Sequence, residues 1–148
     1  NVYLNDVWSS ADGITWILMT PHAPWGGRWL HAGVTFQGGL WIVGGHRCGT
    51  QNGLTGEYTA TQEQTCSEAN QDAGFFYRDV WLGGADGVTW DLATNNAAWA
   101  GRAGHFVASW DTEGQQPPLP VERNNLWVLG GASGFNEPSD DAWIGFEF

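Results

Sequence analysis

The sequence contains no lysine and only five arginines against 16 aspartates and glutamates, a formal charge of −11 over 148 residues. A chain this acidic, whose arginines never cluster along the sequence, has no electrostatic means of gripping a phosphate backbone or an anionic bilayer, which argues against nucleic acid and such membranes as partners. Long apolar runs are missing too. No stretch approaches the roughly 20 residues of a membrane helix, so membrane insertion is not expected, and no basic-then-apolar opening resembles a signal peptide. Methionine occurs once, and helix formers in periodic positions are scarce. What is abundant is apolar and turn-forming: 42% hydrophobic residues, 11 Trp and 22 Gly. That apolar share offsets the ordering entropy of a folded chain, and the Trp, Val, Thr and Gly content favours short strands and tight turns. An all-β fold is expected.

The same landmarks recur in the same order. Asp6-Val7-Trp8 returns as Asp79-Val80-Trp81 and again as Asp141-Ala142-Trp143. Ala11-Asp12-Gly13-Ile14-Thr15-Trp16 returns as Ala85-Asp86-Gly87-Val88-Thr89-Trp90. Trp25-Gly26-Gly27-Arg28 with His31 matches Trp99-Ala100-Gly101-Arg102 with His105, and Leu40 to Gly45 matches Leu126 to Gly131. The first three sets are offset by 73 or 74 residues and the last by 86, so the extra length lies between His105 and Leu126, as in a loop insertion.

Each unit reads as four short strands. Val34–Phe36 and Phe106–Ala108 come first, then Leu40–Val43 and Leu126–Leu129, apolar runs expected to be buried on both faces. Tyr77–Trp81 and Trp143–Phe146 form a third strand, and Thr15–Leu18 and Thr89–Leu92 a fourth. The Asp-Gly pairs between third and fourth strands predict type I′ turns, in which both central residues have positive φ.

Paired glycines after an apolar strand, a downstream Asp-Val-Trp, a further Trp, then Arg and His: this series resembles the kelch repeat, whose units are the four-stranded blades of a β-propeller. The hairpin Ser10-Ala11-Asp12-Gly13-Ile14-Thr15-Trp16 also resembles, one residue short, the Asp-box of sialidase propellers, although Gly84 replaces the Ser in the second copy. Both likenesses imply one architecture. They divide the chain into a half blade (1–20), a full blade (28–93) with an insertion at 46–76, and a partial blade (102–148) with an insertion at 110–124. The resulting segment of about nine strands cannot close alone, since propellers need roughly 4 to 8 blades. The absence of an initiator Met and the abrupt last strand favour a piece of a longer polypeptide; several copies completing one ring are the alternative.

Physical roles follow for the repeated residues. Gly44, Gly45, Gly130 and Gly131 stand where strands crowd toward an axis. Trp8, Trp81 and Trp143 are expected between blades, with Trp16 and Trp90 on the outer hairpins. Arg28 and Arg102 are expected to tie one blade to the next through backbone carbonyls, Asp12 and Asp86 to accept N–H groups within their own turns, and the recurring His31 and His105 to be architectural.

Chemistry is sparser. Cys48 and Cys66 are expected to form a disulfide across the polar insertion, worth about 3 kcal/mol in the chain-entropy picture, which implies an oxidising, extracellular or cell-surface setting. His46, at the start of that insertion, is the histidine singled out as ligand-facing; His22 is read as a loop residue. No catalytic residues, metal ligands or cofactor are assigned. Asp111, Glu113 and Glu122 share one loop and Glu137, Asp140 and Asp141 another, read as solvated, with a weak calcium site or a glycosidase carboxylate pair as alternatives. Galactose oxidase is a kelch-type enzyme, but its tyrosine–cysteine pair and histidine ligands have no counterpart at Tyr3, Tyr58 or Tyr77. Sialidase-like activity would require arginines gathered on one substrate; Arg47, Arg78 and Arg123 lie outside the repeat positions.

The reading is a non-catalytic interaction or scaffold module of a larger secreted or cell-surface protein or extracellular assembly, its partners being proteins, neighbouring subunits or the remainder of the propeller. A glycan-binding or glycan-processing propeller is the alternative, with Trp29, Tyr58 and Trp110 as stacking platforms. An intracellular kelch adaptor with reduced cysteines is the third.

Overall fold

The computed structural model describes residues 3–48, 74–110, 125–134 and 137–145, which are all-β with antiparallel pairing throughout. At the centre lies a four-stranded sheet of β3 (Ala32–Phe36), β4 (Gly39–Val43), β7 (Val80–Gly83) and β8 (Trp90–Thr94), in that spatial order. On one side stands a two-stranded sheet, β1 (Val7–Ser9) with β2 (Ile17–Thr20). On the other is a three-stranded sheet in the order β13 (Ala142–Gly145), β10 (Asn125–Leu129), β9 (Phe106–Trp110). β3 packs beside β9 without pairing to it, so the first strands of successive sheets converge. This is the geometry of an incomplete propeller: half a blade, a full blade and three quarters of another.

Two further ribbons complete the described strands, β5 (His46–Cys48) with β6 (Gly74–Phe76) and β11 (Ala132–Gly134) with β12 (Glu137–Pro138). They occupy equivalent places, each following a Gly-Gly pair. The β5–β6 ribbon brings Cys48 opposite Gly74 and so fixes both ends of the segment between them. Cys66 and Tyr58 lie outside the described residues, as do Asp111, Glu113, Glu122 and Arg123. The expected Cys48–Cys66 disulfide therefore lies outside the described residues.

The core forms between the full and three-quarter blades, from Trp41, Val43, Val80, Trp99, Val107 and Val128. Alternation along β4 sends Trp41 and Val43 into it. Contrary to the expectation of burial on both faces, Leu40 is 37% exposed and Ile42 half-buried, because the facing half blade has only two strands. Fully burying side chains of this size stabilises by roughly 1.5–3 kcal/mol each.

Three local expectations change. The third strand starts at Val80 rather than Tyr77, because the backbone of residues 77–79 bonds to connecting loops: Tyr77 N–H to the Gly45 carbonyl, Arg102 N–H to the Tyr77 carbonyl, and Gly44 N–H to the Asp79 carbonyl. The fourth strands begin at Ile17 and Trp90, Thr15 and Thr89 being held in the preceding loops. Those loops are not type I′ turns, since only Gly13 (74°) and Gly87 (68°) have positive φ while Asp12 and Asp86 do not. The Asp carboxylates organise them instead. Asp12 Oδ1 accepts from Ile14 and Thr15 N–H at 2.8 and 2.7 Å, and Asp86 Oδ1 from Val88 and Thr89. These bonds hold Asp12 at about 2 and lower Asp86 in the same direction.

The Gly-Gly pairs do sit where chains crowd. Gly44 and Gly45 have φ of 56° and 108°, and a Cβ on Gly45 would lie 2.9 Å from His31 Cβ. Gly45 N–H donates to the Arg102 carbonyl at 2.8 Å, which joins the full blade to the entrance of the next through the backbone.

Candidate functional site

The four-stranded and three-stranded units each contain one clamp. Arg28, buried, donates from Nη1 to Asp79 Oδ1 at 2.6 Å and from Nη2 to Oδ2 at 2.8 Å, while Nη1 also reaches the Gly44 carbonyl at 3.0 Å. Trp81 Nε1 donates to Asp79 Oδ2 at 2.7 Å, and the Arg28 guanidinium lies 3.8 Å over the Tyr77 ring. Arg102 repeats this with Asp141 at 2.7 and 2.8 Å, with the Gly130 carbonyl at 2.8 Å, and Trp143 Nε1 closes on Asp141 at 2.5 Å. The arginines thus bind within their own sheets, not across to the next blade as expected. A planar fork is matched by a carboxylate already placed before the third strand of the same sheet. The half blade repeats the Trp8 to Asp6 bond at 2.6 Å.

Asp141, expected in a solvated acidic loop, is instead bonded by Arg102, then Trp143 and Ser139, which hold its carboxyl well below the usual carboxylate range. Asp140 beside it is exposed. No group of three or more metal-ligating side chains occurs among the described residues. The recurrence of Arg with a later Asp-x-Trp in two units was the signal that could have revealed the clamp.

Of the tryptophans expected between blades, Trp81 is half-buried, whereas Trp143 at 37% and Trp8 at 49% are exposed. Trp81 stands 6.2 Å from Trp25, itself 4.3 Å edge-on to Trp90, on the side of the half blade. Trp143 lines the gap between the full and three-quarter blades, and Trp8 is 49% exposed on the outer side of the half blade. His105 is buried against Gly131 and Gly44, and burial, with Arg102 nearby, lowers its pKa to about 4. His31 and His46 are lowered by burial too.

His46 does not face a ligand. It is 1% exposed, its ring 4.4 Å from Phe76, and its Nδ1 accepts from Trp29 Nε1 at 2.6 Å, which puts the proton of the neutral ring on Nε2. Burial of a ring that bonds to an indole within the ribbon is what withdraws it. Trp29, whose N–H it uses, remains half-exposed, and Trp110 is 54% exposed at the end of β9. Neither lines the large cleft beside the β5–β6 ribbon.

That cleft, of about 1210 Å³, lies between the connection leading from β2 to β3, the β5–β6 ribbon and the connection from β8 to β9. Among its lining residues are Arg28, Arg47 and Arg78 together with Tyr3, Phe75 and Tyr77. Two of the three arginines outside the repeat positions, Arg47 and Arg78, therefore line one cleft, and Arg123 lies outside the described residues. Sequence spacing could not show this, since 31 residues separate them and the β5–β6 pairing brings them together.

No protein-family model matches the chain, and no curated protein matches it either.

Proposed function

We propose that the chain is a kelch-type propeller segment serving as a non-catalytic protein-interaction or scaffold module of a larger secreted or cell-surface protein or extracellular assembly. The observation that carries this reading is the state of its two lateral faces. Where blades are neighbours, Trp41 and Val43 are buried; the outward faces at either end instead present large apolar side chains to solvent. Trp8 and Leu18, opposite each other in register, form one such face, and Phe106, Trp110 and Ile144 belong to the other, on the side of the sheet away from Val107. Exposed contiguous apolar surface of this kind marks an interaction site. The repeated polar residues add support, because Arg28, Asp79, Arg102 and Asp141 saturate one another inside the scaffold.

Further blades, from a longer polypeptide or from other copies, are the partners that fit such faces. Replacing Trp8 or Phe106 by Glu tests this. Association of the chain through its faces should be lost in both variants while the thermal midpoint holds; association that survives both substitutions would contradict the reading. The extracellular assignment rests on the expected Cys48–Cys66 bridge, and intact mass before and after reduction checks it: a bridged chain gains two hydrogens, whereas two free thiols in freshly isolated protein remove the assignment.

A further inference from the structure

We infer that the outer edge of β13 captures an extended strand of a protein partner, one that carries a tryptophan after an Asp-Gly turn. The inference rests on the propeller-module reading and names the partner chemistry for one end of it.

The first observation is an open edge beside an open cavity. β13 pairs with β10 on one edge and, among the described residues, with no strand on the other. Backbone N–H and C=O groups along such an edge are a template for a further strand. A mainly apolar cavity of about 410 Å³ lies between the four-stranded and three-stranded sheets, with Leu126 and Trp143 among its lining residues. Trp41, Val43, Val80, Trp99, Val107 and Val128 line it as well, and these form the buried core, so the cavity continues the packed interface between the two sheets.

The second observation is what fills the equivalent space in the full blade. Val80 to Gly83 pair with Val43 to Leu40 in the same register as Ala142 to Gly145 pair with Leu129 to Leu126, which aligns Gly145 with Gly83 and Trp143 with Trp81. On the far edge of β7 lies β8, with Trp90 opposite Gly83. The Trp90 ring crosses Gly83 so closely that a Cβ there would meet it at 2.6 Å, and the ring then reaches Trp25 edge-on at 4.3 Å. The three-quarter blade keeps the receiving half of this arrangement: glycine at 145, and Trp99 at the repeat place of Trp25. Trp99 has His105, at 6.4 Å, as its only ring neighbour among the described residues. Glycine within a strand marks a close approach, and here the approaching group is the absent tryptophan.

The third observation selects the occupant. The chain has two segments of the required chemistry, 12–20 and 86–94, and both are already paired. Val7–Thr20, Trp8–Leu18 and Ser9–Ile17 repeat the register of Val80–Thr94, Trp81–Leu92 and Leu82–Asp91, with an irregularity after the first pair in each. A second folded copy therefore has no fourth strand to lend, and the occupant is a strand of a protein partner.

The test titrates the 148-residue chain into a fluorophore-labelled synthetic peptide of residues 84–94, read by anisotropy up to about 1 mM protein. A peptide carrying Trp90→Ala and a scrambled peptide are run alongside. The native-sequence peptide should bind roughly 10- to 100-fold more tightly than the Trp90→Ala form, the span expected for burying one large apolar side chain. In the chain, Gly145→Val places a β-favouring residue on an extended edge and closes the path of the ring. It should weaken binding at least about tenfold with an unchanged thermal midpoint. The inference would be overturned by absent binding, by equal binding of either control peptide, or by full affinity in Gly145→Val. Evidence that the edge is already filled would overturn it too: self-association that Gly145→Val abolishes, or a longer natural form of the polypeptide that no longer takes the peptide. Trp8→Glu and Phe106→Glu leave the β13 edge intact, so peptide binding and lateral-face association separate failure here from failure of the module reading.

Discussion

Asp79 does three things at once: it neutralises a buried guanidinium, accepts an indole N–H and anchors the connection ahead of the third strand. Removing it by Asp79→Ala leaves Arg28 buried without a counter-ion, which should cost about 3–5 kcal/mol in denaturant unfolding. The histidines set a pH dependence. His105 has a folded pKa of about 4 against an ordinary 6.5, because burial and the neighbouring Arg102 disfavour the imidazolium. The unfolded chain therefore binds a proton that the folded chain refuses. Stability should be level above pH 6.5 and fall as pH drops from 6.5 to about 4, with His105→Phe flattening that limb. Asp12, held at about 2, and Asp141, held low by Arg102, act in a lower window: their contribution is complete above the ordinary 3.8 and lost as pH falls through their folded values. A urea-unfolding series across pH reads both limbs.

At the level of elements, the four-stranded sheet depends on one face. Trp41 fills the core and donates its indole N–H to the Phe36 carbonyl at 2.9 Å, so Trp41→Ala should destabilise by about 3–5 kcal/mol. Leu18→Ser, on the open face of the half blade, should stay within about 0.5 kcal/mol, by the same unfolding measurement. These elements also show what was legible in the chain. The second strands announced themselves as apolar runs closed by Gly-Gly, and the outer loops by their Asp-Gly pairs, because side-chain chemistry decides both. The β5–β6 and β11–β12 ribbons did not, since His46-Arg47-Cys48 and Ala132-Ser133-Gly134 share no residue type and are matched only by backbone bonding. Reading 46–76 as a single insertion therefore hid two short strands that belong to the repeat, and with them the meeting of Arg47 and Arg78. His46 failed for a related reason: a histidine next to a loop is indistinguishable in sequence from one folded under an indole.

At the scale of the molecule, the described residues form three successive sheets of two, four and three strands, and the inner strands β3 and β9 already converge as in a ring. The lateral faces are what such a ring would bury. Trp8 at 49% and Phe106 at 64% exposure stand at opposite ends of the stack, one on the two-stranded sheet and one on the three-stranded sheet, so contact between unlike faces would propagate from copy to copy. Sedimentation velocity of the isolated chain over a wide concentration range tests this most directly. The propeller-segment account predicts a sedimentation coefficient that rises with concentration as the open faces find each other; a folded chain that stays a single monomeric species at every concentration would contradict it.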